Sequence, residues 1–219
     1  MTTTEHAFVF ADLAGYTALT EVHGDESAAD LAIRFHALAH TCLPPRTRIV
    51  KTIGDAVMLV APTIEGAIVA ALALTTAVHA QPSFPALRVG VHAGPAVERD
   101  GDFFGAAVNV AARVAAVARS GEIACTDVVA IVAVRRGLAA ACPLGTFRLK
   151  NVAAPLSLFR LQTDGPTGPL RHVDPVCRMQ VRPEEADTVL EHQGTTLYFC
   201  SARCAVAFRL DPERHLPAG

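Results

Sequence analysis

The sequence predicts an α+β chain, a ferredoxin-like βαββαβ domain followed by a small cysteine-rich module. Three observations predict it. Residues 6 to 162 alternate short apolar runs with longer segments of helical period. Thr163 to Leu170 then places two Pro and two Gly in eight residues, the composition of a linker. After it come three of the six cysteines, in a segment too short to hold a core unaided, so a metal is expected there. The division is 1–162, a linker over 163–171, and a module over 172–219.

Each element has its own signal. His6 to Asp12 is an apolar run ending in an acid, the pattern of a buried strand. Asp25 to Thr41 carries Leu31, Phe35 and Leu38 at helical spacing, with acids in the first turn. Arg46 to Lys51 and Asp55 to Ala61 are strand-like runs joined by Thr52-Ile53-Gly54, a hairpin by length. Glu65 to Ala80 reads as a second helix, Leu87 to Ala93 as a fourth strand, and Gly105 to Ala118 as an Ala- and Val-rich helix. Glu122 to Cys125, Phe147 to Lys150 and Leu156 to Leu161 read as later strands. This order places the helices on one face of the sheet.

Composition narrows the function classes. The 219 residues are 51% hydrophobic and 18% charged, which excludes a disordered chain. A net charge of -2 gives no basic field for nucleic acid. The longest uncharged run, Gly66 to Leu87, contains His79, Gln81, Pro82 and Pro85, so it reads as a helix and loop rather than a membrane span. The N-terminus lacks the basic start of a secretory signal, and a cytoplasmic protein is expected. Six cysteines in that setting point to free thiols or a metal rather than disulfides. Among 19 basic residues only Lys51 and Lys150 are lysines, and Asn109 and Asn151 are the only asparagines.

Chemistry concentrates in two loops. Phe10-Ala-Asp12-Leu-Ala-Gly15-Tyr16-Thr17 sets a carboxylate at a strand end before a glycine turn that can aim backbone N–H groups at phosphates. Lys51-Thr-Ile-Gly54-Asp55 sets a second carboxylate at a hairpin tip. Adjacent strands lie ~4.8 Å apart, so Asp12 and Asp55 can share a divalent cation. Mg²⁺ held by one or two carboxylates and nucleotide phosphates is the expected arrangement. Alone, either Asp would read as a turn cap and Arg113 as a solvated helix residue.

Taken together, FADLAGYT, KTIGDAV, LRVGVHAGP, GDFFGAAVNVAARV and LKNVAAPLSLFRL are collinear motifs over residues 5 to 162, and this region resembles the class III adenylyl/guanylyl cyclase catalytic domain. The resemblance implies that Asp12 and Asp55, with the Leu13 backbone, hold two Mg²⁺ or Mn²⁺ ions per site. Lys51 and Asp102 would read the purine edge as an adenine-selecting pair. Asn109 would position the ribose and Arg113, one helical turn on, would neutralise the α-phosphate in the transition state. Lys150 would contact the terminal phosphates, and the backbone around Gly15, Tyr16 and Thr17 would hold the triphosphate. The implied activity is conversion of ATP to 3′,5′-cyclic AMP and pyrophosphate at a homodimer interface. Pro95 stands where many members carry a phosphate-binding basic residue. A guanylate cyclase and a catalytically inert nucleotide-binding metal sensor are the alternatives.

In the module, Asp174-Pro-Val-Cys177-Arg-Met179 precedes Tyr198-Phe-Cys200-Ser-Ala-Arg-Cys204 and Phe208. This stretch resembles the YHS domain and related TRASH-type modules. The resemblance implies that Cys177, Cys200 and Cys204 bind Zn²⁺, copper(I) or another thiophilic ion. The fourth ligand stays open among His172, His192, His215 and Met179. Arg178 stands where the family commonly has Gly. Cys42, Cys125 and Cys142 read as packing residues, as small buried hydrophobes commonly are.

Overall fold

In a computed structural model describing residues 4–162 and 171–216, the fold is organised around β1 (Thr4–Leu13). Its alternate residues Ala7, Val9, Ala11 and Leu13 are buried on one face, and Phe8 is buried on the other. The glycine turn leads through α1 (Tyr16–His23) and α2 (Asp25–Cys42) to the hairpin of β2 (Arg48–Ile53) and β3 (Ala56–Ala61). Next come α3 (Ile64–His79), capped by the Thr63 side chain, and β4 (Leu87–Arg99). The short β5 (Asp102–Phe104) folds back on β4, and α4 (Ala106–Val117) follows. β6 (Glu122–Thr126), α5 (Asp127–Arg135), β7 (Ala140–Phe147) and β8 (Leu156–Gln162) complete the sheet.

The strand order is β2-β3-β1-β4-β6-β8-β7, with β5 on β4. Its β2-β3-β1-β4 part, with α2 and α3 packed on one side, is the expected ferredoxin-like core. Two expectations need correction. The helices do not share one face: Ala107, Val108 and Ala111 of α4 pack with Phe8, Met58 and Phe103 on the side opposite α2 and α3. Gly90 permits this, because a Cβ there would lie 2.1 Å from the Ala115 backbone nitrogen. The strand expected over Phe147 to Lys150 is instead β7, which ends at Phe147. β7 takes in Pro143 and Gly145 because it is an edge strand, and its register shifts between those two residues, as an edge allows.

The C-terminal module is two small hairpins and two short helices. β9 (His172–Val173) pairs with β10 (Gln180–Val181), and β11 (Thr188–His192) pairs with β12 (Thr195–Phe199). α6 (Ala202–Leu210) is capped by Ser201 and α7 (Pro212–His215) by Asp211. The module has no separate core: Val176, Met179, Phe199 and Phe208 join the same buried cluster as Leu19, Leu74 and Phe84. The expected linker, 163–171, lies outside the described residues except for Arg171, whose Nη1 donates to the Gln81 carbonyl at 3.1 Å. Among the described residues no helix is long and apolar enough to cross a membrane.

Candidate active site and cysteine cluster

The antiparallel register decides what meets at the sheet edge. Asp12 lies opposite Ala56 of β3 and opposite Arg88 of β4. Asp55, one residue before Ala56, occupies the two-residue turn of the β2–β3 hairpin, and its carbonyl accepts from the Leu13 N–H at 3.4 Å. Arg88 grips Asp12 with both ends of its guanidinium, Nη2 to Oδ2 at 2.7 Å and Nε to Oδ1 at 3.1 Å. Burial pushes the Asp12 carboxyl up, and the Arg88 hydrogen bond opposes it. Burial also raises Asp55, and the charge of Asp12 adds to the rise. Two half-buried carboxylates that disfavour each other's charge are a fitting seat for a divalent cation. Arg88 was not among the residues singled out from sequence; only the strand register reveals it.

A second pair sits on the same face. Lys51 Nζ lies 2.6 and 2.9 Å from the two oxygens of Asp102, tying β2 to β5. The lysine hydrogen bond and the Phe103 N–H hold the Asp102 carboxyl below its ordinary range. Cross-strand partners share a face, so Lys51 opposite Met58, and Met58 opposite Phe10, place this pair on the face of β1 that also presents Asp12. Around them Ile53 and Phe104 are each 53% exposed. Asn109 and Arg113 stand one turn apart on α4, the first exposed and the second half-buried. Their side chains, and that of Lys150 in the turn after β7, make no hydrogen bond or ion pair among the described residues. The structure therefore joins Asp12 to Asp55 and Lys51 to Asp102, and among the described residues it gives the side chains of Asn109, Arg113 and Lys150 no partner. Pro95 is an exposed β4 residue opposite Glu5.

The turn itself is built around Gly15. It caps α1 at φ +70°, and a Cβ there would meet Arg178 Cγ at 2.6 Å. Tyr16 and Thr17 form the first turn of α1. The Ala14 N–H donates to the Ala86 carbonyl at 2.8 Å, and the Ala86 N–H donates to the Arg178 carbonyl at 3.0 Å. The module thus sits directly on the turn.

The three module cysteines converge. Sγ of Cys200 lies 3.4 Å from Sγ of Cys177 and 3.8 Å from Sγ of Cys204. Asp174 holds them: Oδ1 accepts from Val176 N–H at 2.8 Å and Cys177 N–H at 3.3 Å, and Oδ2 accepts from Cys200 N–H at 2.9 Å. Hydrogen bonding among the sulfurs pulls the Cys204 thiol down and pushes Cys177 up. Cys125, in the apolar core, is instead pushed up to about 12 by burial. Three convergent soft donors on a buried turn fit a thiophilic ion.

None of the three histidines open as fourth ligand belongs to this group. His172 stacks on Tyr198 with ring centroids 4.2 Å apart. His192 meets Phe208 edge-on. His215 is buried beside Phe208 with its carbonyl accepting from Arg178, and Met179 bridges to Pro85. The fourth donor is Nε2 of His23, at the end of α1, 3.6 Å from the sulfurs of both Cys200 and Cys204. It is 154 residues before Cys177 in sequence, beyond the reach of any spacing rule.

The model of the adenylate and guanylate cyclase catalytic domain matches residues 2–151. The chain belongs to that family. A YHS domain follows it at residues 172–218. A pH-sensitive adenylate cyclase of Mycobacterium tuberculosis is 40% identical over 161 residues, covering 70% of this chain and 39% of the relative. An adenylate cyclase of Streptomyces griseus is 38% identical over 110 residues, or 50% of this chain and 28% of the relative. The chain thus spans well under half the length of these curated relatives. Among solved structures, an adenylate/guanylate cyclase/hydrolase of Silicibacter pomeroyi is 30% identical with a TM-score of 0.64, covering 74% of this chain and 99% of that one. The adenylyl cyclase CyaB of P. aeruginosa, 18% identical with a TM-score of 0.63 over 76% of this chain and 98% of that one, shares the fold.

Proposed function

We propose that this protein is an adenylate cyclase, converting ATP to 3′,5′-cyclic AMP and pyrophosphate, with residues 1–162 as its catalytic half, 163–171 as linker and 172–219 as a metal-binding module. The observation that carries the reading is the Lys51–Asp102 pair on the face that presents Asp12. Adenine presents an amino donor at its 6-position where guanine presents a carbonyl acceptor. A carboxylate facing that position accepts from adenine and repels guanine, while the Lys51 ammonium donates to the adjoining ring nitrogen.

Asp12, Asp55 and the Leu13 carbonyl would hold two Mg²⁺ or Mn²⁺ ions. Bound there, they supply neutralisation of the triphosphate and acidification of the ribose 3′-hydroxyl. Backbone N–H groups at Gly15, Tyr16 and Thr17, at the N-terminus of α1, cradle the phosphates. Asn109 orients the ribose so that its 3′-oxygen lies in line with the α-phosphorus. The 3′-oxygen–phosphorus bond forms, the bond to the bridging oxygen breaks, pyrophosphate leaves with that electron pair, and the hydroxyl proton passes to solvent. Arg113 stabilises charge that grows on the α-phosphate oxygens, and Lys150 steadies the departing phosphates.

A homodimer completes the site in this reading. The side chains of Asn109, Arg113 and Lys150 have no partner among the described residues, and the exposed Ile53 and Phe104 rim the face that a second copy would cover. In a two-fold dimer the carboxylates of one copy would face the purine pair and α4 of the other. The module would hold a thiophilic ion through Cys177, Cys200 and Cys204. Purified full-length protein incubated with Mn²⁺ and either ATP or GTP tests the assignment beside an Asp55→Ala control. Cyclic AMP from the wild type and none from the control is expected. Cyclic GMP as the main product would instead make it a guanylate cyclase, and no product from a dimeric protein would make it an inert nucleotide sensor.

A further inference from the structure

The cysteine cluster is closed by a residue from outside the module. A zinc-like ion at ~2.3 Å from sulfur and ~2.05 Å from nitrogen sets tetrahedral edges of about 3.8 Å between sulfurs and about 3.6 Å between sulfur and nitrogen. Cys200 Sγ lies 3.4 Å from Cys177 Sγ and 3.8 Å from Cys204 Sγ, and His23 Nε2 lies 3.6 Å from the sulfurs of Cys200 and Cys204. All four donor atoms lie within 4.8 Å of one another. Those four edges stand near the lengths of a tetrahedral site, and the two sulfur–sulfur distances are far beyond the ~2.05 Å of a disulfide.

We propose that one thiophilic cation is bound by Cys177, Cys200, Cys204 and His23, so that a single ion fastens the C-terminal module to the helix leading out of the phosphate turn. His23 is the last residue of α1, and Gly15, the turn itself, caps its other end. Eight residues of helix span about 12 Å, short enough to move as one piece. An ion that fixes His23 therefore fixes the turn.

A second tie reinforces the first. Arg178 adopts φ +61°, a left-handed conformation that strains a non-glycine residue. It holds this conformation while its carbonyl accepts from Ala86, its Nη2 donates to the His215 carbonyl at 2.9 Å, and its Cγ covers Gly15. The glycine that would relax the backbone would abandon the side-chain contacts. Arg214 adds an ion pair to Glu21 of α1 at 3.2 Å. Strain kept at a residue whose side chain covers Gly15 and whose carbonyl is tied through Ala86 to Ala14 marks this junction as a built connection.

The ligand set stands independently of the cyclase reading; only the role of Ala14–Thr17 as the phosphate turn rests on it. The test uses full-length protein purified metal-free under reducing conditions, with Mg²⁺ present in excess, and titrated with Co²⁺. One ion per chain with the absorption of a tetrahedral three-sulfur, one-nitrogen site is expected. His23→Ala should weaken binding by at least about tenfold, since even removing a residue that only supports a ligand costs 10–100-fold. His23→Cys should restore binding with an all-sulfur spectrum. Amide exchange across residues 14–23 should slow on metal binding in the wild type, and slow less in Arg178→Gly, which keeps all four ligands. Unchanged affinity and spectrum in His23→Ala, or exchange in α1 indifferent to the ion, would overturn the proposal. A chain that makes no cyclic nucleotide yet loses the nitrogen signal in His23→Ala would sink the cyclase reading and leave this one standing.

Discussion

Two donor sets lie at opposite ends of one short helix, and they are built on different plans. Ahead of α1, Asp12 and Asp55 offer hard oxygens, half-buried, with Arg88 already bonded to one of them. Behind α1, three sulfurs and His23 offer soft donors, with Cys177 and Cys204 buried and the backbone N–H groups of the cysteine turns pinned by Asp174. The oxygen set has a resident cation to balance it when no metal is there, which suits ions that arrive with a nucleotide and leave with its product. The sulfur set brings four donors together with two of them buried, which suits an ion that stays. Placement on the same helix gives the second a way to act on the first.

The largest effect should come from stripping metal at the two ends selectively. Brief gel filtration into metal-free buffer, which removes weakly held ions, should abolish cyclic nucleotide formation, and added Mn²⁺ should restore it at once. The thiophilic ion, whose sites commonly bind by about 10–16 kcal/mol, should remain through the treatment. Metal analysis beside the activity assay checks this. Simultaneous loss of both ions would erase the contrast.

Asp174→Ala should break the sulfur end alone. Three backbone N–H groups lose one buried acceptor, at about 1–3 kcal/mol for each left unsatisfied. Thermal unfolding should drop by several kcal/mol in stability, and metal retention should fall with it. An unshifted melting curve would show that the cysteine turns hold themselves.

Asp102→Ala leaves both donor sets intact and should alter base choice only. A good base-edge contact is worth about 1–3 kcal/mol of discrimination, so the ATP-to-GTP ratio of kcat/KM should fall by roughly 10- to 100-fold. Equal losses with both nucleotides would assign Asp102 to folding instead.

The smallest effect concerns His92, remote from the sulfur set, with Nδ1 2.8 Å from Thr126 Oγ1. Burial lowers its pKa. The unfolded chain therefore binds this proton more readily, and stability is lost as pH falls below about 6.5. His92→Gln should flatten that part of the stability profile, measured by denaturant unfolding at several pH values. A profile unchanged by the substitution would remove His92 as its source.

Much of this was legible in the residues. The apolar runs located β1, β3, β4 and β6 because buried strands have no polar alternation to hide them, and the acid ending the first run marked Asp12. Lys51 and Asp102 were legible through motif and through the scarcity of lysine. Other features depend on what folding brings together. Arg88 meets Asp12 only through strand register, and β7 runs through a proline because it lies at an edge. His23 is an ordinary helix-terminal histidine in sequence, and only the docking of the module gives it three sulfurs. The position of α4 on the second face follows from the missing side chain at Gly90, which a periodicity argument does not weigh.

Whether the cyclase site is divided between two copies of the chain is tested most directly by mixing two dead variants. Asp55→Ala and Arg113→Ala homodimers should each be nearly inactive, the second by about 10²–10³-fold if Arg113 acts as a preorganised transition-state donor. Co-refolded in equal amounts, half of the dimers are mixed, and each mixed dimer holds one intact site. Cyclic AMP formation at about a quarter of the wild-type rate is the result expected of a two-fold shared site. A mixture no more active than its parents, while exchange of chains is demonstrated, would contradict it.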